Sequence, residues 1–378
     1  MRILTAGESH GECLATIIEG FPKGVRVDQD FINQELKRRM SGAGRGKRMS
    51  IEDDKVEIIS GLRNKFTLGS PIAMLVRNKD VKIFTQNKDA LPLLSIPRPA
   101  HADLPGALKY GASDVRNILE RASARETVSR VCAGAVCKQF LLNFGIEIAS
   151  FTVGVGNVIS QLAPKDISDI KAKTKFSQLN CIDSKKEKLM LAEIERADED
   201  RDSLGGIAEV RIEGVPCGLG SFMHFDKRLD AKLSGYLMGI PAVKGVEVGL
   251  GFQYARSRGS SSHDEIYYSK TKGFYRGTNN SGGIDGGIST GEPIVLRIAM
   301  KPIATLRRPL KSVNLTSKKA EKAIVERSDT CAIAACAVIA ENMAAIAITE
   351  SFLEKFGTDS LDEIKTAYRA YAKNLDNL

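Results

Sequence analysis

Tryptophan is missing from this 378-residue chain, and aromatic side chains make up only 6% of it. Platforms on which nucleic-acid bases could stack are therefore scarce. No apolar run reaches the ~18–20 residues of a membrane span. The opening MRILTAGESHGECL places Glu and His soon after a single basic residue, unlike a secretion signal. The seven cysteines (13, 132, 137, 181, 217, 331 and 336) are odd in number and form no C-x-x-C pair. Both C-x4-C pairs lie among Ala, Val and Ile, which predicts buried thiols in a reducing, cytoplasmic setting rather than disulfides or a zinc site. The phosphate-loop and dinucleotide-binding glycine fingerprints, H-E-x-x-H and G-x-S-x-G are also absent, and no cluster has metal-ligand spacing.

What the chain does have is basic charge. Its net charge is +9, with 43% hydrophobic and 27% charged residues, the composition of a globular protein with an anionic partner. Placement narrows the partner. Arg38, Arg39, Arg45, Lys47 and Arg48 crowd a helix end and the glycine loop after it. Arg98, Arg121, Arg125, Arg307, Arg308 and Arg327 fall at Pro-, Gly- or cap-rich junctions. A guanidinium beside glycine can meet a carboxylate or phosphate at close range with both arms of its fork. Charge that is merely solvated lies mid-helix and mixed with Glu, as it does over 184–200. The pattern points to a small, multiply anionic substrate and away from nucleic acid or a membrane.

Hydrophobic periodicity predicts strands over 1–6, 14–18, 55–60, 70–76, 207–212, 247–254 and 294–300. Asp28 or Asp30 is placed to cap a helix whose apolar positions are Phe31, Ile32, Leu36 and Met40. A longer helix is expected from RASARET, where Ser123-x-x-Glu126 has the capping-box form. Further helices are expected over 226–238 and 329–348. Residues 160–205 read as a charged, exposed excursion, and 256–293 as a long Gly/Ser/Asn loop. Glu120-Arg121-Ala122-Ser123 and Glu326-Arg327-Ser328-Asp329 each precede an Ala/Cys-rich helix, a faint internal echo. An Arg just before a helix N-terminus sits where free N–H groups favour anions.

Two of the four histidines occupy the most polar, Gly/Pro-bounded segments: His10 in GESHGE and His101 in RPAHAD. Both are candidates for proton transfer near neutral pH. Neighbouring Glu8, Glu12 and Asp103 are candidates for fixing their tautomers. His224, alternating with Met and Phe, reads as packing, and His263 lies in a Ser-rich loop.

Eight segments, in order, resemble the motifs of the chorismate synthase family. They are GESHG at 7–11, RRMSGAGRGKRM at 38–49, RPAHAD at 98–103, RASARET at 121–127, IPAVKGVEVG at 240–249, SGGIDGGISTG at 281–291, KPIAT at 301–305 and ERSDTC at 326–331. The resemblance implies an α+β fold, a β-α-β sandwich with helices packed between two mainly antiparallel sheets, and a homotetramer. It implies an anti 1,4-elimination of phosphate from 5-enolpyruvylshikimate 3-phosphate that yields chorismate and needs reduced FMN, with NADPH as a candidate ultimate reductant. Arg39, Arg45, Arg48, Arg98 and Arg125 are then expected to hold the anions of the substrate, or the phosphate of NADP. Arg121, Ala122, Ser123, Pro241, Ala242, Gly286, Lys301, Pro302, Ile303, Ala304, Thr305 and Arg327 match the family's FMN positions. His10 is expected to protonate the departing phosphate, His101 to balance the reduced flavin, and Asp329 to relay a proton unless it merely caps its helix.

Three departures stand out. Ala100 replaces a Gly common in the family, at little cost unless a positive φ is needed there; Pro241 replaces an Asn; and NILE replaces a Gly-rich run before RASARET. Motifs spread from residue 7 to residue 331 and expected to converge on one site favour one domain over 1–378, with residues 351–378 as a helical tail.

Overall fold

The computed structural model describes residues 1–46, 53–81, 92–271, 273–325 and 328–375. Strands Arg2–Ala6, Cys13–Glu19, Ile72–Arg77 and Val56–Ser60 form a four-stranded antiparallel sheet in that spatial order. Alternation explains its inner face: Leu14, Thr16 and Ile18 on one strand and Ile72, Met74 and Val76 on its neighbour are buried. A second, five-stranded antiparallel sheet runs Val243–Val248, Ile294–Met300, Gly206–Glu213, Glu147–Val155, Val158–Ile159.

Helices fill the space between them. Thr127–Leu141 packs on the first sheet through Cys13–Glu19, and Ile333–Phe356 packs on the second through Glu147–Val155 and Gly206–Glu213. The two helices lie against each other. Both are buried nearly all round, which is why their sequences show small residues instead of an amphipathic stripe. The crossing is tight: a Cβ added at Gly134 would lie 2.4 Å from the Cβ of Asn342. Helix Gln29–Met40, capped by the Asp28 carboxylate, buries Ile32, Glu35, Leu36 and Arg39, the i, i+3, i+4, i+7 face. Leu229–Met238 completes the layer. The α+β sandwich expected from the resemblance is the one observed.

Helix Ile333–Phe356 is 24 residues long and apolar enough by length and composition to cross a membrane, with 94% of the relevant window buried inside the protein. Glu341 and Asn342 interrupt it, so no uninterrupted apolar run announces it in the sequence.

Several local expectations need correction. Strand Glu147–Val155, buried along most of its length, has no alternation to betray it and is missing from the sequence reading. The strand expected over 247–254 lies earlier, at Val243–Val248, and a 3₁₀ stretch follows at Gly251–Arg256. Ser123 does not form a capping box: its hydroxyl accepts from Arg125 N, while the Glu126 carboxylate turns to Arg130, and the helix proper starts at Thr127. The helix expected over 329–348 likewise begins later, at Ile333, four residues after Asp329. The NILE stretch lies in helix Arg116–Ala122. Segment 160–205 contributes helices Ile167–Thr174 and Ser184–Glu199, and Ile167, Ile170 and Ile182 cover Ala149, Phe151 and Val153. The tail holds the end of one helix and a second, Leu361–Leu375.

Candidate active site

Strand register places the functional loops at matching sheet ends. Val56 pairs with Val76 and Cys13 with Arg77, so residues 7–12, 53–54 and 78–80 emerge together from the first sheet. There Asn78 donates from Nδ2 to the carbonyls of Glu8 (3.1 Å) and Gly11 (2.8 Å), closing the turn that carries His10. In the second sheet Val243 pairs with Met300, which sets Ala242 beside Lys301; Lys301 N donates to Ala242 O at 2.9 Å.

His10 is oriented from a distance. Its Nδ1 lies 2.9 Å from Glu120 Oε1, and its main-chain N–H donates to Glu120 Oε2 at 2.8 Å. Nε2 lies 4.0 Å from Asp80. The orienting acid is thus Glu120, not Glu8 or Glu12. The only hint of it was its place in the echoed ERAS tetrad. Next to it, Arg121 donates to the carbonyls of Gly7 and Thr5, tying the tetrad to the first strand.

His101 is oriented locally, as expected, by Asp103, with Nδ1 2.5 Å from Oδ1. Arg98 donates to the same carboxylate through Nε at 2.8 Å and reaches Thr305 Oγ1 at 2.9 Å. Burial alone would raise the Asp103 pKa, but hydrogen bonds from His101 and Arg98 outweigh it and hold the carboxyl well below the usual range. Ala100 has φ 62° and Ala242 φ 70°, both in the left-handed region. The Ala100 carbonyl accepts from Lys301 Nζ at 2.6 Å. Burial, with Lys244 nearby, lowers the Lys301 pKa.

Asp329 joins these groups. Its carboxylate accepts from Gly46 N at 2.6 Å and lies 2.8 Å from Arg45 Nη1. The adjacent Ser328 donates to Thr305 O at 2.8 Å. Asp329 therefore caps no helix. Arg39, on the inward face of its helix, donates to Thr127 Oγ1 and Ala124 O. Burial, opposed by Asp54 and reinforced by Arg125 and Arg45, pushes the Arg39 pKa down to about 10, so it remains charged at neutral pH. Arg125 binds Asn78 Oδ1 and Asp54. Asp54 and Asn78 were not singled out in the sequence, since nothing in their spacing marks them.

Contacts thus run from the His10 turn through Asn78, Arg125 and Asp54 to Arg39, and in a second set from Arg45 through Asp329 and its neighbour Ser328 to Thr305, Arg98 and His101, with Lys301 on the Ala100 carbonyl. Arg45 is near enough to Arg39 to act on it electrostatically. Arg48 and Arg327 lie outside the described residues. Pro302, Ile303 and Ala304 are in this loop, and Ser203 donates to Ile303 O. Pro241 precedes the Ala242 turn, and Ala122 and Ser123 follow Arg121 at the end of their helix. Gly286 stands apart in the turn between Ile284–Asp285 and Ile288–Ser289, a hairpin that bonds to Leu219 and Leu229. His224 is exposed and paired with Asp226, so it does not pack in a core. Two cavities, of about 320 and 240 Å³, lie elsewhere, beside Arg38 and Glu341 and on the outer face of the second sheet.

The donor set fits anions. Among the described residues, Arg39 Nη1 and Arg45 Nε are two of eight buried side-chain polar atoms without a hydrogen-bond partner, Asp54 Oδ1 beside them and Arg211 Nε on the second sheet being others. A buried donor of this kind is costly until an acceptor completes it. Lys301 and the cationic neighbourhood of Arg39 and Arg45 suit phosphate and carboxylate groups, including those of the cofactor that the resemblance implies.

A chorismate synthase family model matches residues 1–353. The chain is 50% identical over 376 residues to the chorismate synthase of Alkaliphilus metalliredigens, covering 98% of this chain and 99% of the relative. It is 49% identical over 373 residues to that of Desulforamulus reducens, covering 97% and 96%. A crystal structure of a chorismate synthase superposes with a TM-score of 0.82 at 39% identity, over 100% of this chain and 98% of the other. With ordered motifs, the sandwich and full-length similarity in agreement, the chain belongs to the chorismate synthase family.

Proposed function

We propose that the chain removes phosphate and a ring hydrogen from 5-enolpyruvylshikimate 3-phosphate by an anti 1,4-elimination, forming chorismate with reduced FMN as cofactor. The observation that carries this reading is the pair of buried, incompletely bonded guanidinium groups, Arg39 and Arg45, beside two histidine–carboxylate pairs. Arg39, Arg45, Arg98 and Arg125 are the groups for the two substrate carboxylates and the phosphate, with Arg48 alongside them by sequence. Lys301 to Thr305, Pro241, Ala242, Arg121 to Ser123, Arg327 and Gly286 are the candidates for holding FMN. When bound, reduced FMN supplies a transient electron that is recovered, so the overall reaction is redox-neutral.

The chain's own residues then manage charge and protons. Glu120 accepts from Nδ1 of His10 and fixes the ring so that Nε2 is the atom left to give a proton to the departing phosphate, which requires the doubly protonated imidazolium. Asp103 accepts from Nδ1 of His101 in the same way, and Arg98 Nη2 lies 3.1 and 3.4 Å from the two ring nitrogens. Asp329, held by Gly46 and Arg45, offers a carboxylate for proton relay. Clustered guanidinium groups stabilise negative charge as it builds on the leaving phosphate. The chain acts as one domain in the cytoplasm, with an external reductant ultimately supplied by NADPH. Exposed Phe222, Met223, Phe225, Phe252, Tyr268 and Phe274 support self-association into a homotetramer.

The test is turnover. Purified protein with anaerobically reduced FMN should convert 5-enolpyruvylshikimate 3-phosphate to chorismate with equimolar phosphate release. His101→Ala should lower kcat by about 10²-fold or more while oxidised FMN still binds. No product under reducing conditions would overturn the reading.

A further inference from the structure

Two arginines assigned above to the substrate, Arg39 and Arg125, are both buried, at 4% and 7% exposure. Like charges brought together away from water repel strongly, so a bare pair would splay apart or draw in counter-ions. Among the described residues, one carboxylate sits between them. The side chain of Asp54 is 0% exposed; its Oδ1 and Oδ2 lie 2.7 and 2.9 Å from Arg125 Nη1, and Oδ2 lies 3.7 Å from Arg39 Nη1.

We infer that Asp54 is a positioning residue, which sets the spacing and aim of Arg39 and Arg125 for the substrate's anionic groups. The inference rests on the substrate reading of those arginines. Arg39 Nη1 is left with no hydrogen bond among the described residues, a buried donor still lacking its acceptor. The fold delivers Asp54 by register: it lies two residues before Val56, and Asn78 two residues after Val76, the partner of Val56. Asn78 accepts from Arg125 Nε at 2.9 Å through Oδ1 and grips the His10 turn through Nδ2. Asp54 therefore holds the arginine pair in register with the histidine proposed to meet the phosphate. In its described contacts it touches none of the residues proposed for FMN.

The experiment compares wild type, Asp54→Asn, Asp54→Glu, Arg125→Lys and the double variant Asp54→Asn/Arg125→Lys. Each is assayed for steady-state turnover with reduced FMN, for calorimetric binding of 5-enolpyruvylshikimate 3-phosphate with oxidised FMN present, and for FMN affinity by flavin fluorescence. Asp54→Asn is expected to raise substrate KM and Kd about tenfold or more, the size of a lost charge-assisted hydrogen bond, with FMN affinity within about twofold of wild type. Because Asp54 acts through the two arginines, the double variant should bind substrate better than the product of the two single losses predicts. Unchanged substrate binding in Asp54→Asn, additive losses, or parallel loss of FMN and substrate affinity would overturn the inference. So would failure of both Asp54→Asn and Asp54→Glu to fold, which would make the role structural. An inert wild type would instead overturn the proposed function, a separate result.

Discussion

Ala100 occupies the left-handed region at φ 62°, where an L side chain crowds the following carbonyl. Its carbonyl must point at Lys301 Nζ, so the strain is tied to the site. Ala100→Gly should therefore stabilise the protein by about 0.5–1 kcal/mol, the left-handed penalty less glycine's extra unfolded-state entropy. Urea denaturation checks this; a lower midpoint in the glycine variant would show that Ala100 gains more from its methyl contacts than it loses to strain. The sequence showed that an alanine stood in a glycine's place but not the φ that makes this matter. The histidines divide the same way. Asp103 lies two residues from His101 and was readable as its partner, whereas Glu120 lies 110 positions from His10, and only chain folding brings them together.

Among the elements, the helices reveal a feature that no motif announced. Helices Gln29–Met40, Thr127–Leu141 and Ile333–Phe356 meet around Glu35, Lys138 and Glu341, with Lys138 Nζ bound to both carboxylates and Arg38 closing the group from outside. In sequence these are a few charges in otherwise unremarkable helices, since each needs a partner from another element. Burial alone would raise the Glu341 pKa, but Arg38 and Lys138 outweigh it and hold the carboxyl below its usual range. Folded, it gives up its proton more readily than when unfolded. Its stabilisation is thus complete above the ordinary carboxylate range and is lost as pH falls below about 4. Lys138→Met leaves two buried carboxylates to share Arg38 and should cost about 3–5 kcal/mol at pH 7. The deficit should shrink towards pH 5, where one carboxylate can take a proton. Urea midpoints of both proteins across pH 4–8 test this, and a pH-independent difference would mean that Lys138 contributes packing alone. Strand Glu147–Val155, against which this cluster leans through Ser150, escaped the sequence reading for a related reason. A strand covered on both faces loses the alternation that marks half-buried ones.

At the scale of the molecule, the +9 charge was the clearest signal in the composition, and its purpose was partly legible. Arginines at glycine loops pointed to a small anion; Arg39 and Arg125 share Asp54, and Arg45 and Arg98 meet the segment that carries Asp329 and Thr305. What composition could not show is how much of that charge is already neutralised: Arg98 by Asp103, Arg125 by Asp54, Arg45 by Asp329. The charge left to draw in a trianionic substrate is then a surplus spread over the whole surface plus the unfinished donors of Arg39 and Arg45. The two parts respond differently to salt. Long-range attraction between exposed charges is screened as the Debye length shrinks from ~10 Å at 0.1 M to ~3 Å at 1 M, while contacts inside the buried site are screened far less. Raising NaCl from 50 mM to 0.5 M should therefore lower kcat/KM by about tenfold, mainly through KM, and leave kcat within about twofold. Initial-rate kinetics at fixed reduced FMN measure both. A fall in kcat at constant KM would place the salt effect on the reacting groups or on subunit association, and the surplus charge would then have no part in capturing substrate.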